Sequence, residues 1–396
     1  MSAIYLDNNA TTRIAPEVTE AMMPFLTERY GNPSSMHTFG GQIHRDIEAA
    51  REHVAALINA EPDEILFTSC GTESDNAAIM SAVETAHHKK HIITTRVEHP
   101  AVLNFCHHLG RKGFRVSYLP VNNSGNLNLT DLTDTIDDGT VLVSVMFANN
   151  ETGVIFPVET ISNMTKERGV LFHTDAVQAA GKIAIDVKQI PVDMLSISGH
   201  KLHAPKGVGA LYVRRGCRFL PYIIGGHQEQ GRRAGTENVA SIIGLGRAAQ
   251  LVREQQHEES SYLSTLRDSL EHGLLTSCPD ARVNGDVAFR LPNTLNISFA
   301  YVEGEAILLR LNEYGICASS GSACTSGSLE PSHVLRAMGV PYTAVHGSIR
   351  FSLSRYNTEK DIRNVLDVMP GIIRELRELS PFGRSDAPCN RDYTSE

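Results

Sequence analysis

The amino-acid sequence predicts an α/β protein: a mainly parallel seven-stranded sheet covered by helices, followed by a smaller α+β domain. Three observations carry this. Seven short apolar runs alternate with longer helical segments. The runs are near-continuously apolar rather than apolar on alternate residues, as strands buried on both faces require. Polar clusters follow five of them, three containing glycine, at the strand ends where open α/β sheets bind ligands.

In chain order, residues 1–13, with Tyr5-Leu-Asp-Asn-Asn-Ala-Thr-Thr12, read as a short extended arm ending in cap-type residues. Pro16 to about Arg29 reads as a helix with proline in its first turn. From Gln42 to Ile58 a second helix puts Ile43, Ile47, Ala50, Val54 and Leu57 on one face. The seven runs are Ile65–Phe67, His91–Thr95, Val116–Leu119, Val141–Phe147, Val170–Phe172, Met194–Ile197 and Gly209–Val213. Leu245 to about Leu275 keeps helical spacing throughout and predicts a bridge between domains. Strands near Asn293–Ser298 and Ser348–Leu353, with helices at Gly304–Asn312 and Thr358–Leu379, complete the chain. The expected division is 14–257 for the large domain, 1–13 and 258–380 for the small one, and 381–396 for a polar tail.

A net charge of −9 argues against a nucleic-acid surface, which needs clustered Lys and Arg. The first residues lack a basic stretch followed by an apolar one, and no long apolar run follows, so neither secretion nor a membrane span is expected and the location is read as cytoplasmic. Seven widely spaced cysteines suit reduced thiols better than a disulfide framework.

The strand-end clusters carry chemistry. Gly71 and Thr72, at a strand-to-helix junction, offer free N–H groups and a hydroxyl to a phosphate, or Thr72 with Ser74 and Asp75 merely caps the helix. Asp175 follows an apolar run, where an ionised carboxylate needs a cation: a pyridinium nitrogen, or a salt-bridge partner in the core. Lys201, behind Gly199 and His200, has the setting of an amine poised to form a Schiff base. With His99 and Gln178 these residues fall at one edge of one predicted sheet, and together they point to pyridoxal 5′-phosphate (PLP). Cys324 sits among Gly, Ser and Ala in a stretch that cannot pack a core. It reads as a displayed nucleophile or an inert thiol, whereas Cys317 reads as a buried small hydrophobe. The histidine groupings at 87–91, 106–108 and 200–203 lack metal-ligand spacing, and no metal is expected.

Ser198-Gly-His-Lys201, Val97-Glu-His-Pro100, Asn149-Asn-Glu-Thr-Gly153, His173-Thr-Asp-Ala-Val-Gln178 and the segment from Ser319 to Gly327 resemble the PLP-dependent cysteine desulfurases of the NifS/IscS type, in the class V aminotransferase superfamily of fold type I. Arg232 to Asn238 and the Cys324 segment look closest to the nitrogen-fixation branch. The resemblance implies that Lys201 carries PLP, His99 stacks on its ring, and Asp175 pairs with the ring nitrogen. Gln178 and Asn150 would contact the ring hydroxyl side and substrate; Gly71, Thr72, Ser198 and His200 would hold the phosphate. Thr236 would reach the phosphate of a second subunit in a homodimer, and Arg350 would clamp the carboxylate of L-cysteine. Cys324 would take the sulfur as a persulfide, release L-alanine, and pass the sulfur to an iron-sulfur cluster scaffold. The alternatives are another PLP enzyme of the superfamily, such as a selenocysteine lyase or an aminotransferase, and a sulfur-binding scaffold with structural PLP.

Overall fold

The structure, a computed structural model, describes residues 3–86, 88–320 and 330–380. The expectations for Cys324 and the 381–396 tail therefore lie outside the described residues. In chain order the elements are β1 (Ile4–Tyr5), α1 (Pro16–Thr27), α2 (Thr38–Leu57), β2 (Ile65–Thr68), α3 (Gly71–Thr85), β3 (His91–Thr95), α4 (Pro100–Arg111), β4 (Arg115–Leu119), α5 (Leu129–Thr135), β5 (Thr140–Ser144), α6 (Val158–Glu167), β6 (Leu171–Asp175), β7 (Met194–Ser198) and β8 (Gly209–Val213). There follow α7 (Val239–Ser277), β9 (Ala281–Val283), β10 (Thr294–Phe299), α8 (Gly304–Glu313), β11 (Ile316–Cys317), α9 (His333–Ala337), α10 (Tyr342–Val345), β12 (Ser348–Ser352) and α11 (Glu359–Leu379).

Seven strands form the main sheet in the order β2-β8-β7-β6-β5-β3-β4. Only β8 runs against its neighbours, because β7 returns to it through a short connection while the parallel strands are joined by longer crossovers, most of them helical. The sheet is mainly parallel, as its continuously apolar runs require. One core packs α2 and the first part of α7 on one face, with Ile43, Ile47, Ala50 and Val54 buried where the periodicity put them. Another, with Ile79, Ala82, Val102 and Leu109, covers the opposite face.

Helix α7 has 39 residues, about 58 Å of rise. Its first part, from Ile242 to Val252, belongs to the core under the main sheet; from Leu263 to Leu274 it joins a separate core with Leu6, Leu295, Phe351 and Ile362. Gly246 permits the α2 crossing, since a Cβ there would lie 2.6 Å from Ala50. The second core lies on an antiparallel sheet, β12-β10-β9. Beside it, β1 pairs in parallel with β11, so the N-terminal arm is clamped far from its neighbours in sequence.

Two strand ends differ from the sequence reading. β6 continues through His173 and Thr174 to Asp175 instead of stopping at Phe172. The buried imidazole makes this possible by facing hydroxyls on both adjacent strands, Ser144 Oγ at 2.9 Å and Ser196 Oγ at 3.0 Å. β5 stops at Ser144, not Phe147, because the Met146 N–H turns away to donate to the Glu98 carboxyl at 3.0 Å. Cys317 is only half-buried: it sits in the two-residue strand β11 at the edge of its sheet rather than inside a core.

Candidate active site

Each strand end delivers one piece of a polar cluster. β2 feeds α3, which begins at Gly71 behind an extended Cys70 that supplies no side-chain cap. The first N–H groups of the helix are thus left to another acceptor. Gly71 faces β7: a Cβ there would lie 2.8 Å from Val177 and 3.4 Å from Ser198 Cβ. Ser198, only 2% exposed, has no hydrogen-bond partner for its Oγ. Burying a hydroxyl unpaired costs roughly 1–3 kcal/mol. The helix start and the orphaned hydroxyl together make a cradle for an anion. Thr72 is exposed beside it and shares a cleft with Asn76, His99 and Phe105. On the next turn of chain His200 Nδ1 faces Thr11 Oγ1 at 3.2 Å, and burial, then Lys201, pulls the imidazole down to about 4, so it is neutral.

Lys201 closes a 3-10 turn after β7. Its half-buried Nζ donates to the Ala10 carbonyl at 2.7 Å and to the Asn9 carbonyl. His99 is the N-cap of α4, accepting the Ala101 N–H on Nδ1 at 3.1 Å. That bond leaves the proton on Nε2. Burial, then the charges of Lys201 and His333, lowers His99 to about 4. Asp175, at the end of β6, accepts the Val177 N–H at 2.9 Å and is pushed above the carboxylate range by burial. Gln178 donates to Asn9 O at 3.0 Å.

The opposite wall comes from β12. Arg350, 4% exposed, donates to Asp7 Oδ1 at 2.8 Å and to the Asn150 carbonyl at 3.0 Å, while its Nε has no partner. Its backbone exchanges two hydrogen bonds with Ser319, of 2.7 and 3.2 Å. Asn150 follows β5 in a turn shaped by Asn149, whose Oδ1 accepts the Glu151 and Thr152 N–H groups at 2.9 Å. Thr236 lies apart from this cluster: it is exposed, in a separate cavity with Phe67, Ser69, Glu229 and Arg233.

Sequence reasoning missed three residues here. Asn9 is the hub: its carbonyl takes Lys201 and Gln178, and its side chain donates to Thr294 Oγ1 at 2.9 Å and to the Asn150 carbonyl at 3.2 Å. Asp7 holds Arg350. Both lie in the arm that the sequence reads only as extended with cap-type residues at its end, although three successive Asp and Asn residues, 7–9, are a signal. Asp75, read as part of a helix cap, is buried beneath Asp175.

Asp75, His99 and Asp175 each bring one ligand atom to within 4.8 Å of the others. Two carboxyls and an imidazole could hold a metal ion, a grouping that the sequence reading did not include. They also fit a flat ring with a positively charged nitrogen, and the orphaned Ser198 hydroxyl at the α3 N-terminus fits the phosphate of the same molecule. Lys201 is close enough for its charge to act on Asp175, His99 and His200. PLP answers all three features with one ligand, whereas a metal ion leaves the anion cradle unexplained.

This architecture and site define a PLP-dependent enzyme of fold type I. The solved structure of a NifS-like protein superposes with a TM-score of 0.89 at 41% identity, covering 94% of this chain and 100% of the other. The chain belongs to the aminotransferase class-V family, whose model matches residues 4–365. It is similar to a cysteine desulfurase of Trichormus azollae, 63% identical over 389 residues covering 98% of this chain and 97% of the relative. It is also similar to cysteine desulfurase NifS of Azotobacter vinelandii, 56% identical with the same coverage.

Proposed function

We infer that this chain is a cysteine desulfurase, converting L-cysteine to L-alanine and taking the sulfur onto Cys324. One observation carries the reading from geometry to reaction. The segment holding Cys324 leaves the chain beside Arg350, through the Ser319 pairing, and is rejoined at Ser332, whose hydroxyl donates to Glu151 next to Asn150. Both of its ends are thus tied to the wall opposite Lys201.

Bound PLP supplies an electron sink for charge developing at the substrate Cα, which makes the C–S bond one that a thiolate can break. Lys201 would hold the cofactor and would move the proton at the substrate Cα. Asp175 would balance the ring nitrogen, while Gly71, Thr72, Ser198 and His200 would hold the phosphate. Neutral His99 would meet the ring and take part in proton transfer with its Nε2, since Nδ1 is committed to Ala101. Gln178 and Asn150 meet the ring hydroxyl side and the substrate. Arg350 takes the substrate carboxylate with the planar, two-pronged geometry that lysine lacks. The Cys324 thiolate attacks the substrate sulfur: an S–S bond forms, the C–S bond breaks, and its electron pair stays on the substrate carbon, which is protonated to give alanine.

Thr236, displayed away from its own site, serves the phosphate of a second subunit in a homodimer. The persulfide passes to an iron-sulfur cluster scaffold, and the relatives named for nitrogen fixation favour a nitrogenase-related supply. Among the described residues no helix is long and apolar enough to cross a membrane, and a cytoplasmic setting suits a reduced thiol.

The test is mass spectrometry of Cys324 after incubation with cysteine. A gain of one sulfur atom is expected, and in Cys324→Ala the cofactor colour persists while alanine production collapses. Undiminished turnover in that variant would sink the assignment.

A further inference from the structure

Behind Asp175 lies a buried carboxyl that the reaction as described does not use. Asp75, in the second turn of α3, is 1% exposed. Its Oδ1 has no hydrogen-bond partner; the nearest ring nitrogen, His173 Nε2, is 3.6 Å away, too far for one. The other contact is with the Ser196 hydroxyl. Asp75 and Asp175 bring carboxyl oxygens to within 4.8 Å of each other.

We propose that Asp75 is the protonated member of this carboxyl pair and acts as a positioning residue: by keeping the proton, it leaves the pair's single negative charge on Asp175, facing the cofactor's ring nitrogen. Two ionised carboxylates this close, out of water, exclude one another. The surroundings decide which keeps the proton. From β6, His173 is neutral, drawn down to about 3 by burial, and both its nitrogens already face serine hydroxyls. From the turn before α4, Glu98 adds only a further carboxyl, pushed up to about 8 by burial, and His99 is neutral. Cys70 and Ser196 bring no positive charge. Lys201 is the one cation acting on the pair among the described residues, and it acts on Asp175, which also accepts the Val177 N–H. Asp75 has neither. Burial first, then the charges of Asp175 and Glu98, raises Asp75 well above the ordinary carboxyl range.

The proposal rests on the cofactor ring lying against Asp175, and its test separates the two ideas. Holoenzyme containing carboxyl-labelled ¹³C-aspartate is titrated by infrared spectroscopy. A protonated aspartyl stretch, isotope-shifted and so distinct from Glu98 and Glu151, persists where exposed carboxyls are fully ionised. Asp75→Asn abolishes that band. Asp175→Asn retains it but moves its titration to lower pH by about one unit or more, because the like charge beside Asp75 has gone. An amide mimics the neutral acid, so Asp75→Asn keeps the dissociation constant for PLP within about threefold, whereas Asp175→Asn weakens it at least about tenfold. No band in the native holoenzyme, a result that needs no variant to fold, or a band lost in Asp175→Asn instead, overturns the proton assignment. A native-like PLP affinity in Asp175→Asn overturns the placement of the ring, and the proposal with it.

Discussion

The two walls of the site handle charge in opposite ways. On the sheet side, burial drives titratable groups towards neutrality: His99 and His173 are lowered to about 4 and about 3, and Glu98 is raised to about 8. On the β12 side a permanent cation, Arg350, is almost fully buried but already paired with Asp7 and the Asn150 carbonyl. A wall of neutralised groups can move protons, because small environmental differences settle which form is present. A wall built on guanidinium cannot, and it recognises by shape and direction. On the proposed reading, the site divides proton handling from substrate holding between two parts of the chain that meet only in the fold.

Arg350→Lys strikes the second wall hardest. A point charge cannot span Asp7, the Asn150 carbonyl and a substrate carboxylate together, and losing charge-assisted hydrogen bonds of about 1.5–3 kcal/mol raises KM for cysteine roughly tenfold to hundredfold. The pH profile of kcat should stay in place. A displaced profile in steady-state kinetics would mean that Arg350 also tunes the proton-handling wall.

Ser198→Ala makes a smaller change with two signs. Removing a hydroxyl that lacks a partner stabilises the apoprotein or leaves it unchanged, while the cofactor loses one hydrogen bond, weakening PLP by roughly threefold to tenfold. Thermal melting of the apoprotein and PLP titration read the two arms. Apoprotein destabilised by more than about 1 kcal/mol would show that the hydroxyl is satisfied without the cofactor.

The remaining comparison is a pH dependence at Glu98. Its folded pKa, about 8, lies above its ordinary value of 4.5. Its contribution to stability is therefore complete below pH 4.5 and is lost as pH rises through about 8. Glu98→Gln lacks this titration, so the variant gains on the native apoprotein as pH rises from 5 to 8, by at most about 1.4 kcal/mol per pH unit. The buried histidines do not blur this comparison: their lowered values make a contribution that is complete above pH 6.5, is lost towards pH 4, and is common to both proteins. A difference in melting temperature that does not move with pH would place Glu98 among the ionised groups.

The sheet side was the more legible. Apolar runs followed by polar clusters marked Gly71, His99, Asp175 and Lys201 one strand at a time, because the end of a parallel strand is local in sequence. Asp75 escaped notice because a helical Asp among Ser and Thr looks like a cap, and only burial shows otherwise. Asn9 and Asp7 escaped because their partners, Lys201 and Arg350, lie nearly two hundred and more than three hundred residues away. The ends of β5 and β6 differ from the sequence expectation for a related reason: a carboxyl and hydroxyls from other elements decided where pairing continued.

The sequence by itself determined the α/β class, the near-parallel sheet and the polar strand ends, since apolar periodicity and turn chemistry act over a few residues. It also carried the motifs of the family. The tertiary structure alone decided which carboxyls share a buried space, which hydroxyl was left orphaned, and that an N-terminal arm would hold both Lys201 and Arg350. Those outcomes depend on desolvation and long-range pairing, which exist only once distant segments have packed.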